Sequence, residues 1–273
     1  MISVLHVSDL HFGKPSVPEQ IEAIEQLIRA ERFDVVAVSG DLSQRARAKE
    51  LRSGRVFLDD AAKVSKTIVV PGNHDVKWWR DPVGLGSRAA SYAAYRQFVA
   101  PDLEPVLQVP GATFVGLNSA HGVQPHTLTW NPRDIGVVGD LRDVQIARAR
   151  AAFDAAPRGD AHAIVMHHNL VRGDLSRRHG LAHTRRATEG LAAFRVDLIL
   201  CGHDHQEAVH LIPNEGKGTV VSTAGTISSR SRGHRPSSVN VITIAPAEIV
   251  VTVRTWDRAR RAFIPGVVSR FSR

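Results

Sequence analysis

Five short stretches of this 273-residue chain gather side chains able to do metal chemistry: Asp9-Leu10-His11, Gly40-Asp41, Gly72-Asn73-His74-Asp75, His167-His168-Asn169 and Gly202-His203-Asp204-His205. Each follows an apolar run, in turn VLHVS, DVVAVS, TIVVP, AIVM and DLILC. Carboxylates, imidazoles and an amide are therefore delivered to what read as strand ends. In open α/β sheets ligands bind outside the carboxyl ends of the strands, so these groups are expected to converge although they span roughly 200 residues of sequence. Imidazole, carboxylate and amide oxygen without a thiolate suit a borderline-to-hard divalent or trivalent ion such as manganese, iron or zinc. One ion with an open position needs about three protein ligands, and a bridged pair about six to eight; the donors here are too many for one ion.

The elements that must position them follow from periodicity. Valine- and isoleucine-rich runs alternate with longer, alanine-rich and charged runs, which predicts an α/β protein with strands buried on both faces. Strands are expected at ISVLHVS, DVVAVS, TIVV, ATFVGL, AIVMH and VDLILC. Helices are expected at PEQIEAIEQLIRAER, with proline near its start, RARAKELRSGRVFLDDAAK, GSRAASYAAYRQFV and LRDVQIARARAAFDAA. From about residue 205 strands follow without helices: EAVHLI, GTVVST, VNVITIA and EIVVTVR, the last two joined through Pro246 and Ala247 as in a hairpin. A mostly antiparallel sheet is expected for this C-terminal quarter. No internal repeat or low-complexity linker divides the chain, and residues 1–273 read as one domain.

A hydrophobic content of 43% suffices for a sizeable core. The single Cys201 excludes an intramolecular disulfide, and MISVLHVSDL has neither the basic flank nor the long apolar stretch of a signal peptide. No run approaches the ~20 apolar residues of a membrane span. A cytoplasmic protein that does not enter a membrane is the expectation. The formal charge of +8 favours anionic ligands, phosphate or nucleic acid, without choosing between them.

The five stretches, in this order, resemble the motifs of the calcineurin-like metallophosphoesterases: D-x-H, G-D, G-N-H-D/E, a strand-end histidine and G-H-x-H. They stand here as DLH at 9–11, GD at 40–41, GNHD at 72–75, MHH at 166–168 and GHDH at 202–205. Any one of them is weak; all five in order, each behind an apolar run, are strong. The motifs cover roughly the first 210 residues, and the strand-rich tail agrees with that family's second sheet. The resemblance implies an α/β, four-layer αββα sandwich with two packed mixed sheets, two bound metal ions (Mn, Fe or Zn) and hydrolysis of phosphoester bonds. It further implies that Asp9, His11 and His205 hold one ion, that Asn73, His167 and His203 hold the other, and that Asp41 bridges them. His74 would contact the scissile phosphate and protonate the leaving oxygen. Paired cations activate water near neutral pH and clamp phosphoryl oxygens, so in-line displacement needs no covalent enzyme intermediate.

Length, motif order and the short spacing between Asp41 and Asn73 are most similar to class III cyclic-nucleotide phosphodiesterases. A cyclic nucleotide or similar small phosphodiester is the substrate this implies. A DNA nuclease suits the basic charge, although the family's DNA-repair members usually carry further DNA-binding and partner-binding segments. A non-catalytic interaction scaffold is the third reading; relatives of that kind have lost metal ligands, whereas all seven ligand positions and His74 are filled here.

His203 and His205, separated by one residue after a strand, are expected to project to one side, whereas the pleat lets only one of His167 and His168 do so. In many phosphodiesterase relatives proline follows the histidine pair, where this chain has Asn169-Leu170. His6, His162 and His210 read as structural, Asp75 and Asp204 as partners of loop backbone or of a ligand histidine, and Cys201 as a small buried residue. Three loops can form a substrate pocket: VKWWRDPVGLG, with Trp78, Trp79 and Arg80; NSAHG, with Asn118 and His121; and VRGDLSRRHGLAHTRR, with five arginines and two histidines. Trp78, Arg80, Asn118 and His121 are the candidate substrate contacts, because an aromatic beside an arginine can stack on a base and hold a phosphate. A solvated loop anchored by buried tryptophan is the alternative. SSRSRGHRPSS, at 228–238, reads as a flexible surface loop.

Overall fold

Two mixed sheets of six strands each carry the fold. The computed structural model describes residues 1–78, 88–124, 127, 136–176, 180–214, 216–233 and 235–273. In chain order the strands are β1 (Ile2–Val7), β2 (Val35–Val38), β3 (Lys66–Val69), β4 (Val106–Val109), β5 (Ala112–Gly116), β6 (Ala161–Val165), β7 (Leu198–Cys201), β8 (Ala208–Ile212), β9 (Thr219–Thr223), β10 (Ser238–Ile244), β11 (Glu248–Asp257) and β12 (Ala262–Ser272). The helices are α1 (Pro18–Glu31), α2 (Ala48–Ala61), α3 (Arg88–Ser91), α4 (Ala93–Phe98), α5 (Asp143–Asp154) and α6 (Thr184–Ala192). The sheet orders are β12-β11-β10-β1-β2-β3 and β4-β5-β6-β7-β9-β8.

Period-2 alternation decides which core each strand residue enters. Val4, Val35, Ala37 and Ile68 of the first sheet meet Phe114, Ala163, Val165 and Leu200 of the second. Their neighbours Leu5, Val7, Val36 and Val38 turn outward and pack with Ile24, Ile28, Leu51 and Phe57 of α1 and α2. On the outer face of the second sheet, Val115, Ile164 and Ile199 pack with Ile146, Ala149 and Phe153 of α5 and Leu191 of α6. Three apolar layers thus separate helix, sheet, sheet and helix, giving the expected four-layer sandwich. Phe114 is fully buried between the sheets. Phe114→Ala should lower unfolding free energy by about 3–5 kcal/mol, read from urea denaturation, because its cavity is walled by strands that cannot collapse into it. An unchanged midpoint would contradict this placement.

The strand-rich tail departs from expectation. It forms no sheet of its own: β8 and β9 complete the second sheet, with β9 parallel to β7, while β10 crosses over to pair antiparallel with β1. Alternation marks a strand but carries no information about its partner, and both sheets had an edge to extend. The hairpin through Pro246 and Ala247 does join β10 to β11, with the Ala245 amide donating to the Glu248 carbonyl at 2.9 Å. Two strands lacked a sequence signal. β4 is a half-exposed edge, and β12, also an edge, contains Pro265 and Gly266, which interrupt a strand pattern and are tolerated at an edge. The expected helix at 86–99 is two short ones, α3 and α4, and the arginine-rich loop at 171–186 ends by entering α6. Among the described residues, no helix is long and apolar enough to cross a membrane.

Candidate metal centre

The motif residues occupy turns that leave the strands β1, β2, β3, β6 and β7 on one edge of the two sheets. These turns keep pairing after the strands end. The Asp9 amide donates to the Gly40 carbonyl at 3.1 Å, the His11 amide to the Asp41 carbonyl at 2.9 Å, and the Gly202 amide to the His167 carbonyl at 2.9 Å. Asp9, His11, Asp41, His203 and His205 all have left-handed backbone, with φ from 47° to 70°. Non-glycine residues rarely adopt that region, at a cost of order 1–3 kcal/mol each, and such strain clusters at functional sites. The motif glycines have a separate reason. A Cβ on Gly72 would collide with the Asp41 carboxylate, and one on Gly202 with Ser8 and the Asp9 carboxylate. Glycine at these turns lets a neighbouring carboxylate lie against the backbone.

Two groups of donors result. In the first, Asp9 Oδ1 lies 3.1 Å from His205 Nε2 and 3.6 Å from His11 Nε2, and the two histidine Nε2 atoms are 3.1 Å apart. In the second, Asn73 Oδ1 lies 3.1 Å from both His167 Nε2 and His203 Nδ1, which are 3.3 Å from each other. Asp41 Oδ2 stands between the groups, 3.4 Å from His167 Nε2 and 3.8 Å from His11 Nε2. All seven expected ligands are brought together. Their arrangement fits cations: Asp9 Oδ1 is buried and makes no hydrogen bond despite its imidazole neighbours, and ring nitrogens face one another at distances where lone pairs repel unless a proton or metal lies between them.

The ligand orientations are fixed from behind. His167 Nδ1 donates to the Ser39 carbonyl at 2.8 Å and His205 Nδ1 to the Arg230 carbonyl at 3.1 Å, which leaves both Nε2 atoms to face the centre. Burial opposes ionisation of Asp9 and Asp41, but the imidazoles around them outweigh it and hold both carboxyls below the usual carboxylate range. Burial also opposes charge on His167, yet Asp41 beside it raises this imidazole to about 9. Burial, reinforced by His167, pushes His203 down to about 3, and burial likewise lowers His11. Ionised carboxylates and neutral imidazoles are the forms that ligate metals; His167 would exchange its proton for a cation.

His168 qualifies as a third imidazole beside His167 and His203 on proximity alone. Its nitrogens are otherwise engaged: Nδ1 lies 2.8 Å from Ser119 Oγ, and Nε2 donates to the Val137 carbonyl at 2.9 Å. His167, and not His168, turns a ring nitrogen toward Asn73 and Asp41, and the pleat does not explain the difference. β6 ends at Val165, and the His168 ring stays on the site's side, 4.5 Å from the His203 ring. His203 and His205 also converge through left-handed turns rather than strand alternation.

Asp75 behaves as expected, accepting from the Gly72, Leu42 and Ser43 amides and from Ser43 Oγ, and so tying the GNHD turn to the GD turn. Asp204 lies 3.8 Å from Arg232 Nε, outside both donor groups. His6 is buried in the core between Ser39 and Ser222, Cys201 is buried at the end of β7, and His162 stacks on Phe153.

Three of the four candidate substrate contacts, Trp78, Asn118 and His121, lie within the described residues. Asn118 is buried, its amide nitrogen donating to the Tyr92 hydroxyl at 2.9 Å and its oxygen accepting from the Ala120 amide at 3.0 Å. His121 faces the Tyr92 hydroxyl and Gln145 Oε1. The buried Tyr92 needs polar partners at the end of β5, and these side chains supply them. Trp78 is half-buried and packs against Gly122 and Gly136, where any Cβ would collide with it. Arg80 lies outside the described residues.

His74 sits beside the first donor group, its ring edge-on to His11 at 4.9 Å. Its amide donates to Asp41 Oδ1 at 2.8 Å and its Nδ1 donates to the Gln44 carbonyl at 2.7 Å. Sequence reading missed its other neighbour. Arg230 Nη1 lies 3.1 Å from His74 Nε2 and donates to Gln44 Oε1 at 3.1 Å. Arg230 belongs to the stretch read as a flexible surface loop, but Ser228 there is buried, as is Thr226 just before it, whose Oγ1 donates to the Asp9 carbonyl at 2.8 Å. The signal was present in the apolar, glycine-containing VVSTAGTI that leads directly into it.

The calcineurin-like phosphoesterase family model matches residues 2–207. No curated protein matches the chain significantly in sequence. Among solved structures, the purple acid phosphatase PPD1 from seeds of yellow lupin (Lupinus luteus) is 13% identical with a TM-score of 0.64, over 100% of this chain and 54% of that one. This chain thus spans about half the length of the lupin protein. GAP50, the anchor in the inner membrane complex of Plasmodium, is 13% identical with a TM-score of 0.61, over 99% of this chain and 88% of that one. At these identities the likeness is one of fold.

Proposed function

The chain belongs to the calcineurin-like phosphoesterase family, and from that premise we propose that it is a dinuclear metal-dependent phosphoester hydrolase. The observation that carries this reading is the position of Asp41 between two donor groups, each of three side chains. Asp9, His11 and His205 would hold one ion, Asn73, His167 and His203 the other, and the Asp41 carboxylate would serve both. When bound, the ions supply an activated water and charge to clamp phosphoryl oxygens. The chain's own residues do the rest. Ser39 and Arg230 carbonyls keep His167 and His205 in the tautomers that turn Nε2 inward. Asp75 locks the GD and GNHD turns together, which sets Asp41 against His74. The Gln44 carbonyl anchors His74 at Nδ1, so that Nε2 is the nitrogen left to take up a proton and pass it to the leaving oxygen.

The finer reading is a phosphodiesterase acting on cyclic nucleotides or similar small diesters, supported by motif order and the short spacing from Asp41 to Asn73. The test is a panel of 2′,3′- and 3′,5′-cyclic nucleotides, glycerophosphodiesters, phosphomonoesters and DNA, assayed with Mn, Fe and Zn. Cleavage of a small diester with little DNA degradation at physiological salt is expected. The charge of +8 will still give weak, salt-sensitive DNA association through counterion release, so binding and cleavage are scored separately. Efficient DNA degradation without action on small diesters would replace this reading with a nuclease.

A further inference from the structure

Arg230 is out of keeping with the arginines around it. In the same loop Arg235 Nη1 pairs with Glu207 Oε1 at 3.0 Å, and Arg232 lies against Asp204. Among the described residues, no carboxylate pairs with Arg230. Its half-buried guanidinium rests instead on two neutral groups, Gln44 Oε1 and His74 Nε2, at the margin of the first donor group. The partner nitrogen of His74 donates to a carbonyl, so Nε2 accepts from Arg230. The main chain of the same residue holds His205, a proposed metal ligand.

We propose that Arg230 is an anion-binding residue of the site, which passes from His74 Nε2 to a non-bridging phosphoryl oxygen of the substrate and so frees Nε2 to take up from solvent the proton that it hands to the leaving oxygen. This rests on the hydrolase reading above. The physical reason is a difference in bond strength. A guanidinium bound to an anionic phosphoryl oxygen adds attraction between opposite charges that its uncharged partners Gln44 and His74 cannot supply, and its planar fork suits two oxygens at once. An arriving phosphoryl group therefore outcompetes the Gln44 amide for this cation. Arg230 and His74 act as one unit: the arginine covers the imidazole nitrogen until an anion draws it off. Because the His205 contact uses the Arg230 carbonyl, substituting the side chain leaves that ligand held.

The experiment compares wild type, Arg230→Gln and Arg230→Lys, each loaded with manganese, by titrating inorganic phosphate calorimetrically and measuring metal content by mass spectrometry. Arg230→Gln should bind phosphate about 10- to 100-fold more weakly, as expected for loss of a hydrogen bond to a charged group, with metal content unchanged. Arg230→Lys should fall between, keeping the charge without the fork. With a small diester, KM should rise together with a fall in kcat. Equal phosphate affinity in wild type and Arg230→Gln overturns the proposal, as does phosphate binding by neither. A guanidinium that only fastens its loop to Gln44 would lower thermal stability and leave phosphate affinity alone. Failure of wild type to hydrolyse any phosphoester overturns the hydrolase reading instead, and the phosphate titration still reports on Arg230 independently.

Discussion

Asp41→Asn should lower turnover of bis(p-nitrophenyl) phosphate by on the order of 10²- to 10³-fold or more, toward the floor set by wild type stripped with a chelator. The substitution is isosteric, and the geometry says where its damage falls. Asp41 Oδ1 accepts from the His74 amide, so the new side chain keeps its oxygen there and turns its NH₂ group toward His167 and His11. Donor hydrogens then occupy the position from which a carboxylate lone pair would reach both ions, and one negative charge between two cations is lost. Metal content should fall with activity, while the fold, measured by circular dichroism and urea denaturation, stays close to wild type. Full metal occupancy with normal turnover would show that Asp41 does not bridge.

His74→Ala should lower turnover by about 100- to 10,000-fold, the usual range for positioned acid-base catalysis, and should leave metal content intact. The structure separates the two effects. The hydrogen bond between His74 and Asp41 runs through the His74 main-chain amide, which alanine retains, whereas among the described residues the ring's hydrogen-bond and ring partners are Gln44, Arg230 and the edge of His11. The loss should be smaller for p-nitrophenyl esters than for alkyl esters, because nitrophenolate departs without a proton. If His74→Ala instead releases a metal ion, the imidazole is a ligand, and the division of labour given above is wrong.

Residue order alone revealed the strands that end at the site and the five polar stretches behind them, because buried parallel strands are continuous apolar runs and their carboxyl ends are where polar side chains interrupt them; the choice of seven donors among those residues is what the family resemblance implies. The Asp75 role was equally visible, since a carboxylate beside a glycine turn naturally caps backbone amides. What lay beyond reach depended on partners distant in sequence. The tail strands carry clear alternation, yet their division between two sheets follows from which edges were open. His167 and His168 are indistinguishable by type, and the choice rests on Ser119 and the Val137 carbonyl engaging the second ring. Asn118 and His121 looked available because loop residues usually are; the buried Tyr92 hydroxyl claims them. Arg230 was lost in a basic, serine-rich stretch, and its place beside His74 exists because the turn after β9 is pinned to the Asp9 carbonyl. Local pattern reports which groups a strand delivers, whereas the hydrogen-bond partners that leave a lone pair or a cation unspent are set by packing between loops that meet only in the folded chain.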